Sequence, residues 1–212
     1  MFTKVFIIIS LISFIFTKAA SGHPTSFKDS VIIDSRFSQP MSEIGIGYSA
    51  THRIAFWGKS LAFNFAGPAH STNLQINYLV QRWNQIESQG NVYVGLGYGQ
   101  WTNRMVTPLA RELHYYFLQA DWETRYIYFM IEHYGFQSKS LNNMMMNKYR
   151  FGFAPYTVDF EAMSSWIIYE GFDQINQSID HRMLLRMYYK NVLFEIGGSL
   201  NGYAIINLMT HI

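Results

Sequence analysis

Residues 182–200 read RMLLRMYYKNVLFEIGGSL, and their alternation decides the fold. A two-residue turn at Lys190-Asn191 sets Arg186 opposite Glu195 and gives the ribbon two faces. Met183, Leu185, Met187 and Tyr189 share one face with Val192, Phe194, Ile196 and Gly198. Arg182, Leu184, Arg186 and Tyr188 share the other with Ser199, Gly197, Glu195 and Leu193. Side chains alternate with period two along a strand, and directly opposed residues lie on one face. One face is apolar throughout and the other mixes apolar with charged groups. A soluble protein would bury the apolar face under a second layer. A series of such hairpins behind a secretory signal puts lipid there instead.

That signal is read in residues 1–22. Lys4 is the charged start, Val5 to Phe16 is an apolar run, and small residues follow at Ala19, Ala20, Ser21 and Gly22, the pattern of a cleaved targeting segment. The run is shorter than the ~20 residues a spanning helix needs, and no longer one follows. Removing Lys4 and Lys18 leaves 14 basic and 14 acidic residues, a balance that argues against nucleic acid as a partner. Aromatics make up 17% of the chain and charged residues 14%. A soluble surface so poor in charge would be sticky, whereas a hydrocarbon-facing one with interfacial aromatics requires this composition. With no cysteine, a lipidated anchor and a disulfide framework are excluded. Residues 23–212 read as one domain.

Working outward from the hairpin, similar segments fill the chain. Lys28 to Arg36 is a first strand, and Pro40 sits in the following turn. Ile44, Ile46 and Tyr48 alternate with Glu43, Gly45, Gly47 and Ser49; Arg53 to Phe65 is extended, with faces blurred by Trp57, Lys59 and Phe63, so that a bulge is expected. Leu74, Ile76, Tyr78 and Val80 oppose Gln75, Asn77, Leu79 and Gln81. Val92, Val94, Leu96 and Tyr98 oppose Asn91, Tyr93, Gly95, Gly97 and Gly99, and such glycines suit the inner wall of a small barrel. Arg111 to Trp122 and Arg125 to Phe136 form a hairpin around Glu123-Thr124, with Gln119, Asp121, Tyr126, Tyr128 and Glu132 inward. After a polar loop at 137–143, Met144 to Thr157 carries Lys148 and Arg150 opposite Tyr149 and Phe151. Met163 to Phe172 follows, and a three-residue Leu200-Asn201-Gly202 loop returns the chain to Ile212, turning Asn207 inward opposite Glu195.

The total is about twelve strands, giving an all-β, antiparallel, up-and-down transmembrane barrel. An even number brings both termini to one side. With its signal, amphipathic strands, aromatic strand ends and final strand reaching the last residue, the chain resembles the outer-membrane β-barrels of Gram-negative bacteria. The resemblance covers the whole mature chain and rests on pattern; such barrels usually end in an aromatic residue, and this one ends in Ile212. It implies the bacterial outer membrane as location, membrane lipids as surroundings and the outer-membrane assembly machinery as a partner during biogenesis.

The inward charges carry the functional reading. They are Glu132; Lys148 and Arg150; Glu170; Arg182 and Arg186; and Glu195, so acidic and basic strands alternate around half of the barrel. A charge in a narrow lumen is costly unless paired. Two readings stand: a salt-bridge network that fills a structural barrel, or a constriction that selects a small polar solute. No catalytic set, cofactor motif or metal site is expected. His114 and His133, with Glu112, could meet at the rim, and Met144, Met145 and Met146 alternate faces and cannot hold one ion. The alternatives are a lipid-modifying hydrolase and a soluble, lipocalin-like carrier with an apolar interior.

Overall fold

The computed structural model describes residues 23–64, 68–103, 107–139, 141–158, 162–174 and 178–212; the expected signal segment lies outside them. Among these residues twelve strands run in sequence: β1 (Ser30–Phe37), β2 (Met41–Ser49), β3 (Ile54–Phe63), β4 (Ala69–Asn84), β5 (Ser88–Asn103), β6 (Thr107–Thr124), β7 (Ile127–Ser138), β8 (Leu141–Phe153), β9 (Ser164–Gln174), β10 (Asp180–Tyr189), β11 (Val192–Ser199) and β12 (Ala204–His211). Each pairs antiparallel with the next, and β12 pairs with β1, closing the barrel. The backbone amides of Val31 and Ile212 each donate to the other's carbonyl at 2.8 Å. Closure satisfies every ladder, which hydrocarbon demands because it offers no water to a free N–H or C=O. The end where β1 begins and β12 stops is the terminal mouth; the opposite end is the distal mouth.

The outer wall is apolar. Ile46, Leu74, Leu96 and Ile131 are 60%, 74%, 72% and 57% exposed, while Gln75, Tyr93 and Glu132 at alternate positions are buried. Leaving such a surface in water costs roughly 25 cal/mol per Å², so the wall requires hydrocarbon. A soluble carrier would show the reverse, with apolar groups inside and polar ones out. The opening hairpin pairs from Arg182 with Ser199 through Tyr189 with Val192, and Lys190 takes a positive φ of 50° at the turn. At the final reversal Gly202 sits at φ +86°, and Asn207 lies opposite Glu195.

Inside, an apolar cluster fills much of the distal half, where Phe63, Trp101, Tyr115 and Phe136 pack with Met144 and Met146. The inner glycines of β5 make room for it: a Cβ on Gly97 would collide with the Tyr115 ring, and one on Gly95 with Asn77. Gly97→Val is therefore expected to destabilise the barrel by about 1–3 kcal/mol through overpacking, read as a lower urea midpoint for unfolding in micelles.

The structure departs from the sequence reading at four places. β3 carries no bulge; Ala55, Trp57, Lys59, Leu61 and Phe63 all face inward in one regular ladder. Its pattern was blurred because the inner wall here is itself apolar. The register shift falls instead in β4, between Leu79 and Gln81, leaving Gln81 exposed rather than inward. The β6–β7 reversal is at Arg125-Tyr126, not Glu123-Thr124. Sliding the turn by two residues preserves every face, and only Tyr126 changes, to 52% exposed in the turn. Finally, β7 and β8 extend into 137–143, shortening the expected polar loop.

Candidate functional site in the barrel lumen

All seven charges singled out from the sequence project into the lumen, where they meet partners from other strands. Glu132 of β7 holds Lys148 of β8 at 2.6 Å. Arg150 donates to Glu170 at 2.6 Å and to both oxygens of Glu195 at 3.1 and 3.2 Å. Arg182 bridges Glu170 at 2.9 Å and Asp180 at 2.7 Å. Arg186 reaches Glu195 at 2.7 Å, and the Asn207 amide donates to the same carboxylate at 2.6 Å. Two guanidiniums also lie over rings, Arg182 on Phe172 at 4.4 Å and Arg186 on Tyr128 at 4.5 Å.

Sequence reasoning missed five members. Asp34 and Arg36 are two residues apart on β1, hence on one face, and pair at 2.9 Å. Arg36 also extends to Glu132 at 3.6 Å. Since β1 and β7 stand on opposite walls of a twelve-strand ring, this pair spans the lumen. Lys59 and Glu43 pair at 2.6 Å, and Asp180 anchors Arg182. The inner-face position of Glu43 was legible in β2; Lys59 was hidden by the apolar residues around it. Together six cations and six carboxylates balance. Balance is what burial requires, since removing each ion from water costs several kcal/mol that only a close partner returns.

Beside the network lies a cavity of about 40 Å³ walled by Asp34, Arg36, Glu132, Arg150, Glu195 and Asn207. At about 10–15 Å³ for each water, it takes about three or four. A second, larger space of about 480 Å³ opens at the distal mouth above Arg182. Glu170 links the two levels, because its oxygens meet Arg182 on one side and Arg150 on the other. A polar lane thus follows the β7–β12 wall, beside the apolar cluster, which draws on β3 to β9 and includes Phe136, Met144 and Met146 from β7 and β8.

The terminal mouth is occupied by the chain itself. His23 and Thr25, ahead of β1, are 4% and 1% exposed. The Pro24 carbonyl accepts from Trp57 Nε1 at 3.0 Å and Asn77 Nδ2 at 3.3 Å. The Ser26 amide donates to Ser49 Oγ at 2.9 Å, and Ser26 Oγ lies 2.8 Å from His211 Nδ1. His23 sits 3.6 Å from Asp121 and 4.0 Å from Glu123, with the Gln89 amide at 3.2 Å and the Tyr93 ring at 5.8 Å. Nothing in the sequence pattern pointed to this fold-back, because four residues outside a strand carry no period.

On the outer face at the distal edge, tyrosines and histidines form a belt. Tyr116 OH lies 3.1 Å from His133 Nε2, His133 Nδ1 is 2.6 Å from Asn147, and Asn147 donates to Asp173 at 2.6 Å. Tyr169 and His181 are 2.7 Å apart. Such amphipathic groups belong at a membrane–water interface. His114 and His133 do not meet: they face Gln137 and Leu118 across the ladder, and Glu112 and His114 are exposed at 4.0 Å from each other. Met144 and Met146 point inward and Met145 outward. Among the described residues, no group of three His, Asp or Glu could hold a metal ion.

No family model and no curated protein matches the sequence. Among solved structures the KdgM porin superposes with a TM-score of 0.53 over 86% of this chain and 97% of that one, at 10% identity. The barrel is similar in fold to the KdgM porin. A structure of the KdgM porin in complex with disordered oligogalacturonate gives a TM-score of 0.51 over the same shares, at 8% identity. At these identities the likeness speaks for the fold, which is that of outer-membrane β-barrels.

Proposed function

We propose that this chain is a bacterial outer-membrane barrel that provides a narrow, normally closed pathway for small polar solutes. Export through a cleaved signal at residues 1–22, insertion by the outer-membrane assembly machinery and a lipid surround follow from the same reading. The observation that carries it is the charge-balanced chain of contacts that runs from Asp180 at the distal space through Arg182 and Glu170 to Arg150 at the central cavity. Opposed charges around a constriction favour small polar molecules and offer no unmatched field to a large ion. The bound oligogalacturonate of the KdgM complex is a polyanion, and receiving one would take unpaired cations. Here each of the six cations of the network faces a carboxylate, which favours solutes of a different kind.

The Arg36–Glu132 contact across the lumen and the folded-back residues 23–26 support a pathway that rests closed. Purified barrel in planar bilayers is expected to show rare, small conductance steps whose size changes in Arg186→Gln or Glu195→Gln. Silence in the parent chain, in both variants and in chains lacking the His23 contact would leave a structural barrel. A lipid hydrolysis assay on the same preparation separates that outcome from a membrane hydrolase.

A further inference from the structure

The distal space is built like a binding site, and its chemistry narrows the solute. Its volume of about 480 Å³ falls in the roughly 300–1,000 Å³ range of small-molecule sites. The walls come from four places in the chain: Gln39 and Pro40 after β1, Asn64 after β3, Gln174 at the end of β9 with Ser178 ahead of β10, and Asn201 and Tyr203 before β12. Amides and hydroxyls therefore converge from several directions, which a single exposed loop cannot arrange.

The floor is electrically quiet. Asp180, the one formally charged wall residue, accepts from Arg182 Nε and Asn201 Nδ2, each at 2.7 Å, and from the Ser199 hydroxyl. Arg182 in turn covers the Phe172 ring, pairs with Glu170 and donates to the Gln39 carbonyl. Neither an anion nor a cation finds an unmatched partner there. Apolar ligands are disfavoured by the amide lining, since a buried polar group left without a partner costs about 1–3 kcal/mol. One group is already in that condition: the side-chain oxygen of Gln174 is buried and has no hydrogen-bond partner. It is an acceptor, so it calls for a donor. Tyr203 and Pro40 supply apolar faces beside it.

We infer that this space is an entry site for an uncharged, polyhydroxylated molecule of the sugar class, one of whose hydroxyls donates to Gln174 Oε1. The inference takes the solute-pathway reading as its setting and names the solute class. Maltotriose and raffinose serve as neutral probes, with trigalacturonate and spermidine as charged comparators, titrated calorimetrically into the full chain in detergent micelles. At least one neutral trisaccharide is expected to bind, with affinity falling about fivefold to tenfold in Gln174→Leu and also falling in Tyr203→Ala, while both charged probes bind more weakly. Heat-modifiable migration on gels verifies that each variant is folded. Absence of binding by both neutral probes, tighter binding of trigalacturonate or spermidine, or an unchanged affinity in folded Gln174→Leu overturns the inference. Conductance measured on the same preparation keeps the two readings apart. Binding without conductance leaves the site and removes the pathway; conductance without binding does the reverse.

Discussion

His23→Ala is expected to raise the open fraction of the barrel in planar bilayers by roughly tenfold to a hundredfold. The substitution removes the contacts of the imidazole with Asp121, Gln89 and Tyr93. Losing a buried, charge-assisted contact of this kind costs about 1.5–3 kcal/mol, and about 1.4 kcal/mol shifts a two-state balance tenfold. The Pro24 carbonyl would keep its donors from Trp57 and Asn77, so the lead loosens rather than leaves. Asp121→Asn, which acts from the barrel side, should have a similar though smaller effect, because the amide oxygen still accepts from one of Asn91 and Gln119, which here donate to different carboxylate oxygens.

The same contact predicts a pH dependence with a definite sign. Burial alone would lower the His23 pKa, and Arg82 adds to that; Asp121, helped by Glu123, outweighs both and raises it above 6.5. A raised value means the folded lead binds its proton more tightly than the free segment does. The stabilisation is therefore complete below about pH 6.5 and is lost as the pH climbs through the raised value. Openings should become more frequent as the pH rises above about 6.5 in the parent chain and vary less in His23→Ala. Openings that become rarer with rising pH would contradict the assignment of His23 as the latch.

Glu195→Ala should be among the most destabilising single substitutions in the lumen. Arg150 would fall back on Glu170, Asn207 would lose its acceptor, and Arg186 would keep only the Tyr128 ring. Breaking a buried pair from one side typically costs about 3–5 kcal/mol, because the orphaned charge stays desolvated. Glu195→Gln should cost less, since its amide oxygen can still accept from Arg186 and Arg150, which share one carboxylate oxygen, while Asn207 loses its acceptor. Urea midpoints for unfolding in micelles read both. A shift for Glu195→Ala no larger than the ~0.5 kcal/mol of an ordinary surface change would mean that water, not Glu195, solvates Arg186.

How much of this was legible follows from what a period of two can encode. In the Arg182–Leu200 ribbon one face is apolar and the other charged, so turn, register and orientation were all readable. In β6–β7 both faces carry aromatics. The alternation then gave the correct inner set, Gln119, Asp121, Tyr128 and Glu132, while leaving the turn free to slide from Glu123-Thr124 to Arg125-Tyr126. In β3 the inner wall is Trp57, Lys59, Leu61 and Phe63. A pattern that only distinguishes apolar from polar cannot place such a strand.

The sequence by itself determined the number of strands, their antiparallel order and the side that meets hydrocarbon, because these depend on neighbours along the chain or across one ladder. Beyond the Arg186–Glu195 pair of the hairpin, only the tertiary structure decided which lumen charges meet across the ring. Arg36 on β1 reaches Glu132 on β7, Arg150 on β8 reaches Glu195 on β11, and His23 reaches Asp121. None of these partners sits on an adjacent strand. They come together because closing the sheet curves opposite walls to within a side chain's length of each other, a property of the ring that no local period records.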